Sequence, residues 1–162
     1  MIKVEEIVEK YKGYEVDEDK LKEILIDHKP KTVWDLKYED NYYWINDYGL
    51  VYASDWLNKE IDITRRALGN CFLTREEAKF EVEKRKIEVI LLKYGSRGFK
   101  CNEDNYYMYC EHNESSIEIG RYRSCQEQGT IYFDTEELCQ QAIDEAGEDN
   151  IKKYIFGVKS ND

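Results

Sequence analysis

Hydrophobic residues are spaced in two ways along this chain, first as in helices and then as in strands. In residues 2–28 the apolar side chains recur every three or four positions, and Gly13 and Pro30 are natural helix ends. This spacing predicts an N-terminal helical hairpin over residues 1–32. From Val33 onward the spacing approaches two, which is typical of half-buried strands. The pattern therefore predicts an α+β fold in which a helical segment precedes the sheets.

One five-residue phrase, Glu-Asp-Asn-Tyr-Tyr, occurs at residues 39–43 and returns at residues 103–107. Each copy is followed by aromatic and β-branched residues, a Gly, a Phe two positions before a Thr, and an acidic start to a helical pattern. Thr74 and Thr135 are these two Thr residues, and each is expected to cap the N-terminus of a helix. The phrases are 64 residues apart and the Thr residues 61 apart. This similarity predicts two copies of one unit, each an antiparallel β-sheet with a helix.

Three segments are therefore predicted: a hairpin at 1–32, a first sheet-and-helix unit at 33–96 and a second at 97–162. Each unit is expected to hold a three-stranded sheet under one helix. In the first unit, Gly49 suits a hairpin turn that needs positive φ, and residues 64–68 are a third strand or an extended lead-in. The N-terminal hairpin is expected either to pack on the first sheet or to bind a partner.

The second unit has two further local signals. Residues 117–122 alternate in a way that predicts a half-buried antiparallel strand. Gly147 is expected to end the helix that Thr135 begins, since glycine readily adopts the left-handed conformation found after helix ends.

Acidic residues are concentrated in the last third of the chain. The net charge is −11, and residues 97–162 hold 7 basic and 14 acidic residues, whereas residues 41–96 hold 9 of each. Such acidity repels a phosphate backbone, so direct nucleic-acid binding is not expected. A basic protein is the expected partner. The alternative is that the acidity only keeps the chain in solution.

Residues that carry chemistry are sparse. The five cysteines form no C-x-x-C pair, which predicts free, mostly buried or half-buried thiols in a reducing cytoplasm rather than disulfides or zinc. The longest apolar run, Val89–Leu92, is too short to span a bilayer, and the first residues are too acidic for a signal peptide. His28 and His112 are the only histidines, and phosphate-loop or nucleophile motifs are absent from the sequence. These patterns predict a cytoplasmic protein with no membrane partner, no catalytic role, no metal and no cofactor.

Four longer segments carry a resemblance to known proteins. They are residues 69–78 (GNCFLTREEA), 133–137 (FDTEE), 142–149 (AIDEAGED) and 151–158 (IKKYIFGV). These segments, within a match over residues 40–158, resemble recurrent segments of small uncharacterised proteins encoded by phages and prophages of low-GC Gram-positive bacteria. Small phage proteins of this kind include inhibitors of host immunity, among them anti-CRISPR proteins. The resemblance therefore implies a phage origin and an anti-defence role.

Three functions from different classes remain open. In the first, the chain inhibits a host nuclease or CRISPR-Cas effector by filling its basic nucleic-acid groove, and the predicted contacts are Glu111, Glu114, Glu118 and Glu127. In the second, it binds a small anionic ligand such as a signalling nucleotide, with neighbouring tyrosines and with Arg65, Arg66, Arg121 and Arg123. In the third, it is an accessory phage protein without inhibitory activity. The oligomeric state is not predicted.

Overall fold

A computed structural model describes residue 10, residues 12–13, 32–111 and 116–158. The chain divides into two units, Met1–Lys31 and Thr32–Asp162. The helices and strands with defined bounds lie in the second unit, which is α+β. The predicted helical hairpin over 1–32 falls almost wholly outside the described residues, so the fold that the structure supports begins at Thr32.

The first half of this unit holds one β-hairpin and two helices. After a 3₁₀ turn at Val33–Asp35, the strands are β1 (Asn41–Ile45) and β2 (Val51–Asp55), and the helices are α1 (Glu60–Ala67) and α2 (Arg75–Tyr94). The two strands are antiparallel, with Trp44 opposite Tyr52. Gly49 has φ 75° in the connecting turn, as its position in the sequence predicts.

The second half repeats the hairpin but not the order of helices. Its strands are β3 (Asn105–Glu111) and β4 (Ser116–Tyr122), and two helices follow as α3 (Glu136–Ala146) and α4 (Glu148–Tyr154). β3 and β4 are antiparallel, with Tyr109 opposite Glu118. Gly147, at φ 82°, ends α3 where the sequence predicts.

The predicted three-stranded sheets are wrong, because the two sheets of the described residues each have two strands. Beside each hairpin lies an isolated bridge, Tyr43 with Phe72 in the first half and Tyr106 with Phe133 in the second. Residues 64–68 belong instead to the end of α1 and its cap. This helix forms because Asp62, in its first turn, accepts hydrogen bonds from otherwise free backbone amides.

The prediction of two repeated units is also wrong. Thr74 and Thr135 do cap α2 and α3 as expected. The helices differ otherwise, because within the described residues α1 has no counterpart in the second half and α4 has none in the first. Moreover, α2 packs against α3 and α4 as well as against its own sheet. A helix shared in this way does not close a separate first unit.

Two hydrophobic clusters stabilise the fold. The smaller one lies on the α1 side of the first sheet and consists of Leu36, Tyr42, Trp56 and Cys71. The larger one joins Ile87 and Leu91 of α2 to Met108, to Phe133 and to the inner faces of α3 and α4. Full burial of a large apolar side chain contributes about 1.5–3 kcal/mol. The two clusters therefore hold the sheets, whose two strands would not be stable alone.

Candidate functional site

The outer face of the second sheet carries an unusual combination of tyrosines and carboxylates. Successive side chains of a strand point to opposite faces, and Met108 and Ile119 pack against the large cluster. Their neighbours Tyr107, Tyr109 and Glu118 therefore point away from the core. We name as the tyrosine–glutamate face the set formed by Tyr107, Tyr109, Glu111, Glu118, Tyr122 and the adjoining Glu127.

The tyrosines of this face form a continuous row of rings. Tyr107 and Tyr122 are stacked, with ring centroids 4.4 Å apart and an interplanar angle of 9°. The ring centroid of Tyr109 lies 6.0 Å from that of Tyr107. Gly120 makes room for the row, because a Cβ at that position would lie 2.6 Å from the ring of Tyr107. β4 thus has a glycine at the position where the ring of Tyr107, from β3, lies flat across the strand.

The carboxylates stand beside this row. Glu118 is opposite Tyr109 in the register, and Glu111 is its diagonal neighbour, at about 7–8 Å by standard sheet geometry. Both are exposed, and neither has a hydrogen bond or ion pair within the described residues. Glu127 accepts a 3.0 Å hydrogen bond from the hydroxyl of Tyr122. The hydroxyl of Tyr107 and the carboxylate of Glu127 hold the pKa of Tyr122 above its ordinary value.

Three of the four predicted partner contacts therefore lie together. Glu111, Glu118 and Glu127 surround the tyrosine row, and Glu114 lies in the β3–β4 connection, outside the described residues. The sequence predicts the carboxylates but not the stacked rings beside them. A glycine in one strand that lies opposite an aromatic residue of the next strand would indicate the stacked rings. This signal can be recognised only when the register of the two strands is known.

Two of the four predicted ligand-binding arginines are engaged at the edge of this sheet. Asp104 accepts hydrogen bonds from Arg123, including one of 3.0 Å from Nη2, and lies 3.5 Å from Nη1 of Arg121. Arg123, and then Arg121, hold the pKa of Asp104 below its ordinary value. Both guanidinium groups are thus held by a carboxylate of the same chain.

The other two arginines lie on α1 and contact aromatic rings instead. The guanidinium carbon of Arg65 is 3.6 Å from the ring centroid of Trp44, and its Nη1 donates to the hydroxyl of Tyr42 at 2.8 Å. Arg66 lies 4.7 Å from the ring centroid of Trp34 and 4.4 Å from that of Trp56. No contact within the described residues links these two arginines to Arg121 or Arg123, so the structure does not bring the four into one site.

Beneath Arg65 is a buried polar network that sequence reasoning missed. The hydroxyl of Tyr42 donates to Asp62 at 2.8 Å, and the other oxygen of Asp62 accepts from the backbone amides of Leu57 and Lys59. Burial acts against the charged form of Asp62, but these hydrogen bonds outweigh it and lower the pKa. The network fixes α1 against β1, and its internal hydrogen bonds indicate a structural role.

Two cavities lie near the second sheet. One of about 210 Å³ is lined by residues that include Glu88, Leu91, Met108 and Phe156, and it is smaller than the usual ligand pocket. The other, of about 370 Å³, is lined by Arg97 and residues 126–130, so it adjoins Glu127 of the tyrosine–glutamate face. Across residues 32–111 and 116–158, no group of three or more His, Cys, Asp or Glu side chains is placed to hold a metal ion. In the same ranges, no helix is long and apolar enough to cross a membrane. The cytoplasmic location stays a prediction.

Comparison with known proteins adds no assignment, because no family model, curated protein or solved structure matches this chain.

Proposed function

We propose that this protein is a phage-encoded inhibitor that places its tyrosine–glutamate face in the basic nucleic-acid groove of a host defence nuclease or CRISPR-Cas effector. The observation that carries the proposal is the collection of Glu111, Glu118 and Glu127 around three tyrosines on one two-stranded sheet. None of the outward positions of β3 and β4 is occupied by Lys or Arg. The face therefore complements a surface that is built to hold phosphates.

The two residue types have different roles in such a contact. Carboxylates attract a basic partner and increase the association rate, and they occupy the Lys and Arg groups that otherwise contact phosphate. Tyrosines supply rigid, partly apolar contact area with few rotatable bonds, which is why they are frequent at interface hot spots. Because the sheet is packed on the large cluster, both types are positioned before binding.

The proposal makes the chain a binding protein rather than an enzyme. Its partner would be a basic host protein, with no nucleic acid in direct contact with this face. The proposed phage origin rests on the resemblance of residues 40–158 to phage and prophage proteins. An anionic-ligand site that uses all four arginines stays an alternative prediction, and in it Arg121 and Arg123 would have to release Asp104.

Charge reversal on the face tests the proposal. Glu111, Glu114, Glu118 and Glu127 are each changed to Lys, and affinity is measured by biolayer interferometry against purified CRISPR-Cas effectors and defence nucleases of Gram-positive hosts. We expect the wild-type chain to bind one of them, to inhibit its DNA cleavage, and to lose affinity as salt rises. The variant should bind more than about tenfold more weakly, with a nearly unchanged melting temperature.

A matched control has the same change of net charge elsewhere. Glu39, Asp47, Glu76 and Asp144 are exposed and lie outside β3 and β4, and changing them to Lys should leave affinity within about threefold of wild type. Equal loss in both variants would show that only the total charge matters. Unchanged affinity in the face variant would exclude this face as the contact.

A further inference from the structure

Rings and carboxylates are paired on the tyrosine–glutamate face, and we propose that the face recognises arginine side chains in preference to lysine. The inference rests on the proposed function, because it specifies the partner chemistry for the same surface. It predicts that the basic groove is contacted through guanidinium groups, while ammonium groups contribute only general attraction.

Two ring–carboxylate pairs carry the argument. Tyr109 is 39% exposed and lies directly opposite Glu118, at a Cβ separation of about 4.5–5.5 Å by sheet geometry. Tyr122 contacts Glu127 through a 3.0 Å hydrogen bond, so its ring also has a carboxylate at its edge. Each pair thus offers an aromatic surface and an anionic acceptor within reach of one bound side chain.

A guanidinium group can use both parts of such a pair at once. It is planar, stacks flat on an aromatic ring, and directs its N–H groups outward in its own plane towards a carboxylate. A lysine ammonium is a compact and strongly hydrated point charge without a flat surface or a fork. The paired arrangement therefore favours arginine, whereas isolated carboxylates would attract either side chain equally.

The arginines of this chain make both kinds of contact, stacking on aromatic rings and hydrogen-bonding to a carboxylate. Arg65 lies 3.6 Å from the ring centroid of Trp44, and Arg66 lies between Trp34 and Trp56. Arg123 donates through two nitrogens to the carboxylate of Asp104. The tyrosine–glutamate face offers the same two kinds of partner side by side.

The carboxylates that the proposal uses can bind a cation of a partner. A second copy of the chain fits the tyrosine–glutamate face poorly. Glu118 and Glu127 have no cationic partner in residues 32–111 and 116–158, and the nearby Arg121 and Arg123 are held by Asp104. Self-association through this face would bring carboxylates against carboxylates in a region with a local charge of −7. Charge complementarity therefore favours a basic partner.

Two peptides of equal charge test the preference. Deca-arginine and deca-lysine, each labelled with a fluorophore, are titrated with the full chain at an ionic strength of about 0.15 M, and binding is followed by anisotropy. We expect deca-arginine to bind at least about fivefold more tightly. In Tyr109→Leu this ratio should fall towards one through weaker binding of deca-arginine, while Tyr109→Phe should preserve it.

Two further variants separate this inference from the proposed function. Glu118→Gln should weaken both peptides, and Tyr48→Leu, which alters a tyrosine that is 88% exposed in the β1–β2 turn, should change neither. Equal affinity of the wild-type chain for both peptides would overturn the arginine preference, and weakening of both by Glu118→Gln would still support an acidic contact face. Failure of both peptides to bind would overturn the preference together with the electrostatic basis of the proposed function. A fivefold ratio that persists in Tyr109→Leu, with an unchanged melting temperature, would also contradict the inference.

Discussion

The two sheets begin with the same five residues and use them differently. In the first sheet, Phe72 bridges to Tyr43, the fifth residue of the phrase, and in the second, Phe133 bridges to Tyr106, the fourth. A shift of one residue exchanges the faces that side chains occupy relative to a neighbouring segment. The surroundings of the phrase differ as well, because Asn41 is exposed at the start of β1, whereas Asn105 is buried and hydrogen-bonds to the backbone around it. A repeated phrase therefore predicts a repeated strand, but not a repeated environment.

The sheets also differ in how they use charge. Arg65 and Arg66 of the first half lie on indole rings and form no salt bridge within the described residues, although the charge of Arg65 helps to lower the pKa of Asp62. In the second half, Arg121 and Arg123 share Asp104, while Glu111 and Glu118 have no cationic partner within residues 32–111 and 116–158. Guanidinium groups thus pack on aromatic rings in the first half, whereas the second half presents carboxylates without an ion pair in the described part of the chain. The contrast predicts that stability depends on the first site and binding on the second.

The largest expected effect on stability comes from the buried network of the first half. Asp62 is 3% exposed, and Asp62→Ala leaves the Tyr42 hydroxyl and the amides of Leu57 and Lys59 without their acceptor. Each such loss costs roughly 1–3 kcal/mol, and we expect the free energy of unfolding to fall by about 3 kcal/mol in total. Urea denaturation followed by circular dichroism measures it.

Asp104→Ala is the matched change in the second half. Asp104 also contacts arginines, but the ion pairs are exposed to solvent, and pairs of this kind are screened and contribute little. Its effect on the urea midpoint should be much smaller than that of Asp62→Ala. Equal destabilisation by the two variants would contradict the idea that the first site stabilises the fold while the second does not.

A smaller effect is expected where Tyr107 lies across Gly120. Gly120→Val places a side chain where the Tyr107 ring now lies, since even a Cβ would approach the ring to 2.6 Å. Overpacking of this kind costs about 1–3 kcal/mol. The displaced ring should also separate from Tyr122, which near-ultraviolet circular dichroism would detect.

A double variant shows whether the clash is the cause. Tyr107→Ala removes the ring, so Gly120→Val made in that background should cost much less, because valine itself suits a strand. If the two changes were additive in urea denaturation, the close approach would not explain the glycine.

Local signals in the sequence predict the ends of elements better than their partners. The caps at Thr74 and Thr135, the turn at Gly49 and the helix end at Gly147 depend on backbone groups a few residues away, and all four are confirmed. The sequence does not predict α1, because its Ile61 and Ile63 are about half exposed and do not mark a buried helix face. The helix depends on Asp62 and its distant partner Tyr42, which no local pattern reveals.

The candidate site shows the same limit. The excess of acidic residues in 97–162 directs attention to Glu111, Glu118 and Glu127, and the alternation of residues 117–122 predicts which side chains share a face. The pairing of Tyr109 with Glu118 depends on the register across the β3–β4 turn, and the sharing of α2 between both halves depends on packing. Both are long-range properties, so spacing along the chain could not predict them.

The reactivity of single cysteine thiols also compares the two halves, and the expected differences are local. All five cysteines are free, and three are buried or half-buried, as predicted. In the first half, burial raises the pKa of Cys71 to about 11, and in the second it raises that of Cys139 to about 12, so both stay protonated at neutral pH. Cys101 and Cys125 are exposed at the open end of the second sheet.

With N-ethylmaleimide at neutral pH, we therefore expect Cys101 and Cys125 to react first, the half-buried Cys110 more slowly, and Cys71 and Cys139 only after unfolding. Peptide mass spectrometry over time measures each rate, and the urea-unfolded chain is the control in which all five should react. Early labelling of Cys71 would mean that the small cluster beneath the first sheet opens readily. In that case the first sheet would not be rigid, and the buried network around Asp62 would not be the main source of stability in the first half.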